Sequence, residues 1–441
     1  MDFKSALNYL EKFKSYENSP FYKMKGVHFD LRKFKKFLQD FGVDVKRTKF
    51  IHVGGSKGKG STGKLIEMYL RGKKYSVGVF SSPHFYDVRE CFLLDGRAIS
   101  KSVFSCCVAE IEEFLNRHSG KYSLSYFELL TAIALKFFVE RKVDFAILEV
   151  GVGGKYDATN VISPKISIIN LIEKEHAGIL GGTLKSIIQH KIGIIKPGVP
   201  CVISPQTDHV NKELKKQLSN KKNIYFVGEI LQDVKVEVGE NGSILKFTDG
   251  NFLVKNLKLG KVNFFHYRNV LTAYFVLKIL LKKIDLLTFK KVCGDFKLKG
   301  RFEIRMINQK AVVLDMAHTA QSFESLLRSM LVFFPDMKYV FLISLMKGKE
   351  IDDIFKCIVE FLGERKLRSK FIFVSSHLRR SVNPNILERK FESYIKKSDN
   401  LFLMKNCRIS FSDLLATIGK KEILIVTGSH FLLAQWPGKK V

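Results

Sequence analysis

Residues 50–71 constrain this chain more than any other stretch. Phe50-Ile51-His52-Val53 is strand-like, Gly55-Ser56-Lys57-Gly58-Lys59-Gly60-Ser61 is a glycine-rich turn, and a helix-like segment runs on to Arg71. Glycines let backbone N–H groups curl around a phosphate chain, Lys59 can reach its outer oxygens, and the positive end of the next helix faces the same anion. The spacing is not the standard one of Gly, four residues, then Gly-Lys-Ser/Thr, because Gly60 separates Lys59 from Ser61. A bare glycine-rich turn is often structural. Between a strand and a helix, with a lysine inside it, the turn points to a nucleotide site.

At 441 residues the chain exceeds the usual size of a single core, so two α/β domains are expected. The first two-thirds alternates strands (49–53, 76–80, 144–150, 166–170, 199–204) with helices (60–73, 103–117, 127–141, 183–191, 209–219). That alternation predicts a mainly parallel sheet covered on both faces. Over 224–254 short strands are split by Glu240-Asn241-Gly242 and Asp249-Gly250, which predicts a small antiparallel layer. A helix resumes over 267–281. After Lys297-Leu298-Lys299-Gly300 a second series begins, with strands at 311–314, 339–344, 371–375 and 422–426 and helices at 322–330, 351–362 and 411–418. The expected division is a P-loop-containing domain over 1–297 and a smaller Rossmann-like α/β domain over 298–441.

Hydrophobic residues make up 46% of the chain, enough for packed cores. No apolar run approaches the roughly 18–20 residues of a membrane span. Residues 1–16 read as an amphipathic helix without a signal-peptide core. Seven scattered cysteines fit a reduced cytoplasm. The formal charge of +31 invites a nucleic-acid reading, but 38 Phe beside one Trp and nine Pro suggest A/T-rich codon bias, which also inflates lysine. The lysines are dispersed, with no arginine-rich arm. We read a basic surface that favours anionic substrates, with no nucleic-acid or membrane partner.

Other candidates sit where strands end, the edge at which doubly wound sheets collect ligands. Ser82, in Ser81-Ser82-Pro83-His84, is a turn residue or a ligand of a phosphate-bound metal. Glu149 closes the apolar run Phe145–Leu148; it suits Mg²⁺, a hard cation, or a salt bridge to a neighbouring lysine. His176 follows the strand over 166–170. Lys191 reads on its own as a basic helix end. Asp315 and His318 follow a buried strand and either bind a polar group or cap the next helix.

Together these segments resemble the folylpolyglutamate synthase/dihydrofolate synthase family of Mur-type ATP-dependent amide ligases, from about Ile51 to Ala434. The matching motifs are His52 to Ser61, Ser82-Pro83-His84 with Arg89-Glu90, Tyr126-Phe127-Glu128, Leu148 to Asn160, Gly193 to Gly198, and Gly428-Ser429. The resemblance implies that Gly55, Gly58, Lys59, Gly60 and Ser61 hold the ATP phosphates. It implies one Mg²⁺ at Ser61, Ser82 and Glu149, and a second at His176 and Lys191, the latter at a position that can be carbamylated. Asn269 would meet adenine and Arg301 phosphate, with a monovalent cation as a further candidate. Asp315 and His318 would serve ATP and glutamate, which makes Lys59, Lys191, Asp315 and His318 the catalytic candidates. The implied activity adds L-glutamate to a pterin or folate acid through an acyl phosphate, in a monomer. A Mur-type ligase for another carboxylate acceptor and a non-catalytic folate- or nucleotide-binding relic are the alternatives. Several positions depart from the family pattern. Ser56-Lys57 replaces Thr-Asn, Glu175 replaces Asp, His266 replaces Gln, Cys91 stands where Arg is frequent, and Asp315-Met316-Ala317-His318-Thr319-Ala320 replaces Asp-Gly-Ala-His-Asn-Pro.

Overall fold

The computed structural model describes residues 1–17, 31–46, 48–174, 177–239, 241–376, 381–396, 398–404 and 411–435; Glu175 and His176 lie outside these ranges. The chain divides into two compact units. One comprises Met1–Val234, Phe247–Val254 and Arg268–Val292; the other comprises Lys235–Lys246, Lys255–Tyr267 and Cys293–Val441.

The first unit is built on eight strands: β1 (Lys49–Gly54), β2 (Val77–Phe80), β3 (Phe92–Leu94), β4 (Arg97–Ala98), β5 (Phe145–Glu149), β6 (Ile166–Ile169), β7 (Cys201–Ile203) and β8 (Ile224–Phe226). Their order is β4-β3-β2-β5-β1-β6-β7-β8. Strands β2, β5, β1, β6, β7 and β8 run parallel, and β3 and β4 close one edge as an antiparallel hairpin. Parallel strands need long crossovers, which the intervening helices supply, and those helices cover both faces. That is why β2, β6 and β7 are buried at every position, and why their sequences are apolar but for Ser167 of β6.

Helix formation here has local causes. The helix Tyr126–Glu140 opens with a capping box, Ser125 and Glu128 satisfying each other's backbone N–H groups. It is then buried from Glu128 to Leu135 without a break, as a helix wedged between sheet and outer helices must be. Around it Phe34, Phe37, Phe80, Phe92, Phe104 and Phe138 form one core. A second core gathers Ile169, Ile187, Ile188, Ile203 and Leu214.

The antiparallel layer consists of β9 (Leu231–Gly239), β10 (Gly242–Asp249) and β11 (Phe252–Leu259), in the order β11-β10-β9. Ile224–Phe226, which the pattern assigned to this layer, instead extends the large sheet, with Val202 in register with Tyr225.

The second unit carries β12 (Glu303–Ile307), β13 (Lys310–Leu314), β14 (Lys338–Ile343), β15 (Ser369–Phe373), β16 (Leu401–Leu403) and β17 (Glu422–Thr427), ordered β12-β13-β17-β14-β15-β16. All are parallel except β12, which pairs with β13 through a two-residue turn. Asn308 and Gln309 both take positive φ there, as a turn matching the strand twist requires. Its core includes Val313, Phe323, Phe341, Phe371 and Ile425, with Phe341 and Phe371 stacked at 5.1 Å.

Gly78 of β2 lies directly under a ring. A methyl group there would meet Cδ1 of Phe138 at 2.5 Å, whereas one on Gly363, in the helix Ile351–Glu364, would meet nothing within 4 Å. Gly78→Ala is expected to cost about 1–3 kcal/mol by overpacking. Gly363→Ala is expected to add up to about 1 kcal/mol through helix propensity. Urea unfolding of the two variants checks this; equal midpoints would contradict the packing assigned to Gly78.

Candidate active site

The parallel register assembles the first unit's candidates at one edge. Val53 pairs with Glu149 on one side and Ile168 on the other, while Phe80 of β2 pairs with Leu148. The glycine-rich turn after β1, Ser82 two residues beyond β2, Glu149 at the end of β5 and Asn170 just after β6 therefore share the carboxyl edge.

The turn is tied down on its far side. Ser56 and Lys57 both donate backbone N–H groups to the Leu171 carbonyl, at 2.8 and 3.1 Å. The Ser56 hydroxyl donates to the Glu173 carbonyl and accepts the Glu173 N–H, each at 3.0 Å. Gly55 and Gly58 have φ of 128° and 84°. A methyl on Gly55 would lie 2.7 Å from Asn170 Cβ, and one on Gly58 only 2.1 Å from Asn269 Oδ1. Glycine is thus required at both positions by backbone angle and by space. The helix Lys59–Gly72 begins at Gly58 without a side-chain cap, so its first N–H groups are open to an anion. Beneath it, Asn170 Nδ2 donates to Thr62 Oγ1 at 2.8 Å, and Thr62 donates to Asn269 Oδ1 at 3.3 Å.

Two lysines converge on one oxygen. Lys59 Nζ lies 3.2 Å from the Gly55 carbonyl, and Lys191 Nζ, on a side chain 2% exposed overall, lies 3.0 Å from the same atom. Lys59 Nζ is also 3.9 Å from Glu149 Oε1, so the salt-bridge reading of Glu149 has a partner here. A methyl on Gly60 would come within 3.4 Å of Glu149 Oε2, which places that carboxylate against the start of the helix.

The segment after Glu149 has its own scaffold, which motif matching did not resolve into roles. Asp157 Oδ2 accepts the N–H groups of Gly151 and Val152, at 3.0 and 3.1 Å. Asn160 Nδ2 donates to the Lys155 and Gly193 carbonyls. His52 is fully buried; burial first, then the Lys196 ammonium, hold its imidazole down to about 3, so it is neutral.

Ser82 and Pro83 are joined by a cis peptide bond. The loop they open is held by the short turn Val88–Cys91: Glu90 Oε2 accepts the N–H groups of Phe85 and Tyr86, at 2.9 and 3.3 Å. Cys91 lies 3.8 Å from His84 Nδ1, and burial pushes its thiol up to about 12, so it is not a thiolate nucleophile.

In the second unit, Asp315 Oδ2 accepts the N–H of Phe302, and the Met316 N–H donates to the Gly300 carbonyl; this holds the turn that carries the exposed Arg301. His318 Nδ1 lies 2.8 Å from the Met316 carbonyl, which can only accept. In the neutral ring this leaves Nε2 as the basic nitrogen. Neither Asp315 nor His318 caps the next helix; Thr319 does, in a capping box with Ser322. His176 lies outside the described residues. Among the described residues no three His, Cys, Asp or Glu side chains gather into a metal cage, and no helix is long and apolar enough to cross a membrane.

Residues 53–277 match the model of the Mur ligase middle domain, just over half of the chain. The chain is 26% identical over 443 residues to a dihydrofolate synthase/folylpolyglutamate synthase of Buchnera aphidicola, covering 98% of this chain and 96% of that protein. It is 31% identical over 309 residues to a probable bifunctional folylpolyglutamate synthase/dihydropteroate synthase of Haloferax volcanii, covering 66% of this chain but only 36% of that longer protein. The folylpolyglutamate synthase of Mycobacterium tuberculosis, solved in complex with ADP, superposes with a TM-score of 0.81 at 20% identity, covering 92% of this chain and 93% of that one, so the fold is shared. By these matches the chain belongs to the Mur ligase family, within its folylpolyglutamate synthase/dihydrofolate synthase branch.

Proposed function

We propose that this protein joins L-glutamate to dihydropteroate, to a reduced folate or to both, using ATP to activate the acceptor's carboxylate. The observation that carries this reading is the meeting of Lys59, Lys191 and Glu149 around Gly55, at the edge where the glycine-rich turn presents its N–H groups. Two cations beside an open helix start suit a polyphosphate.

An amide cannot form directly from a carboxylate at neutral pH, because oxide does not leave. Attack of the acceptor carboxylate on the γ-phosphoryl of ATP makes an acyl phosphate and releases ADP. Lys59 and the helix N–H groups would neutralise charge during that transfer, and Arg301 is a further candidate phosphate contact. The glutamate amine then attacks the acyl carbon, its proton passes to His318 Nε2, and phosphate leaves. Asp315 would orient the segment that presents His318.

Magnesium suits the donors on this edge, because it takes one or two protein carboxylates and keeps water and phosphate oxygens for the rest. Glu149, Ser61 and Ser82 would hold it, and when bound it would screen phosphate charge. Lys191 would join a second ion only as a carbamate, which exchanges an ammonium for oxygen donors. The same reading divides the chain into an ATP-binding domain, 1–297, and a glutamate-ligase domain, 298–441, and makes it a cytoplasmic monomer.

Purified protein given ATP, Mg²⁺ and glutamate should release ADP only when dihydropteroate or a reduced folate is added, with labelled glutamate entering the acceptor. Turnover with a different carboxylic acid alone would favour the broader Mur-type alternative. Tight pterin or ATP binding without any ADP release would favour a relic. In the same assay Lys59→Ala should lower kcat/KM by about 100-fold or more without loss of fold. Gly58→Ala should chiefly raise KM for ATP, because its methyl displaces Asn269. A Gly58→Ala enzyme with unaltered KM would count against the glycine cradle.

A further inference from the structure

His52, Thr159 and Asp157 take no part in the chemistry proposed above, yet they form one polar chain inside the first unit. His52 and Thr159 have no exposed surface and Asp157 has 7%. The hydroxyl of Thr159 owns a single proton, and its Oγ1 lies 2.5 Å from Asp157 Oδ1. A carboxylate only accepts, so the proton points there. The 2.8 Å contact between Thr159 Oγ1 and His52 Nε2 must then be one in which the ring donates. His52 is thereby the Nε2–H tautomer, and its Nδ1 meets no protein partner.

The far end of the chain is equally defined. Asp157 Oδ1 also accepts the Thr159 N–H at 3.0 Å, and Oδ2 accepts those of Gly151 and Val152. The run of hydrogen bonds starts in β1, three positions before Gly55, and finishes on backbone just past Glu149. An apolar filling of the same space would occupy it without direction. Hydrogen bonds whose donor and acceptor are settled at every atom fix distance and angle together.

We infer that His52, Thr159 and Asp157 are positioning residues, a buried hydrogen-bond relay that converges on the Asp157 carboxylate from both ends and sets the loop behind Glu149 against the glycine-rich turn at the end of β1. The inference rests on the functional reading only for the ligand used to test it. Groups that orient a metal-binding segment act through it, and loss of such a group typically costs about 10- to 100-fold in metal affinity or activity.

Thr159→Val keeps the shape but removes the hydroxyl from both contacts, and Thr159→Ser restores it. Three measurements separate the cases: thermal unfolding, titration calorimetry of ADP with and without Mg²⁺, and nitrogen NMR of the His52 ring. Thr159→Val should weaken Mg²⁺-dependent ADP binding by about tenfold, while Thr159→Ser stays within about twofold of the parent. The Nε2–H signature should be present in the parent and in Thr159→Ser and altered in Thr159→Val. If Thr159→Val does not fold, His52→Leu removes the first donor alone and must show the same binding loss. Parent-like binding in Thr159→Val, or an equal loss in Thr159→Ser, overturns the relay. If the parent itself binds no ADP, the functional reading fails and the ring signature decides: an Nδ1–H or charged ring overturns the relay, and an Nε2–H ring supports it.

Discussion

Val53 of β1 lies in register with Glu149 and with Ile168, and the placement of the first unit's site follows from that double pairing. Parallel strands end on the same side, so the residues that leave β1, β2, β5 and β6 emerge as neighbours although as many as 115 positions separate Gly55 from Asn170. A slip of one residue in β5 would draw the Glu149 carboxylate into the sheet and offer Val150 in its place. In a sheet buried on both faces this would bury a charge among apolar side chains, a cost of several kcal/mol in order of magnitude. The apolar runs that made these strands easy to recognise therefore also hold the register that builds the edge.

Charge on that edge is local, and the overall formal charge of +31 says little about it. What matters is that the Gly55 carbonyl receives both Lys59 and Lys191, with Glu149 at 3.9 Å from the first. A lysine held against backbone has lost much of its rotamer freedom before any ligand arrives. The carbonyl offers each ammonium a dipole, whereas a phosphate chain would offer full negative charge at the same mouth. The arrangement is thus pre-ordered for an anion, in the way that oriented donors lower the reorganisation needed during a charge-developing step.

Much of this was legible in the sequence where periodicity and turn chemistry agree. The helix expected over 267–281 is observed as Tyr267–Leu281, and Asp249-Gly250 closes β10 and β11 as a hairpin. Less was legible where those cues are weak. The strand Glu303–Ile307 escaped because its turn is Asn308-Gln309, which lacks the glycine that normally marks positive φ. The helix Leu286–Asp295 ends in Gly294-Asp295 and gives only a short apolar pattern. Within the site, the glycines, Lys59 and Glu149 announce themselves by residue type and position. Asp157, Thr159 and His52 do not, because their meaning is a contact across 107 positions, and a buried histidine in a strand reads as ordinary core.

The drift of the segment from Asp315 to Ala320 looks from its letters like decay of a working motif, but the geometry answers each change. Met316 stands where the family has glycine, and its backbone is not among those with positive φ, so no glycine is needed there. Thr319 stands where the family has asparagine, and it caps the helix Ala320–Phe333 through Ser322, a role in which threonine is also favoured, if less strongly than asparagine. Ala320 replaces proline at the first helical position, where proline is favoured but not required. Asp315 still engages the Phe302 N–H, and His318 still has its ring fixed by Met316. Substitutions that spare every backbone requirement of a segment are what a selected geometry tolerates. A segment released from function would be expected to lose its paired acid and histidine as readily as its glycine and proline.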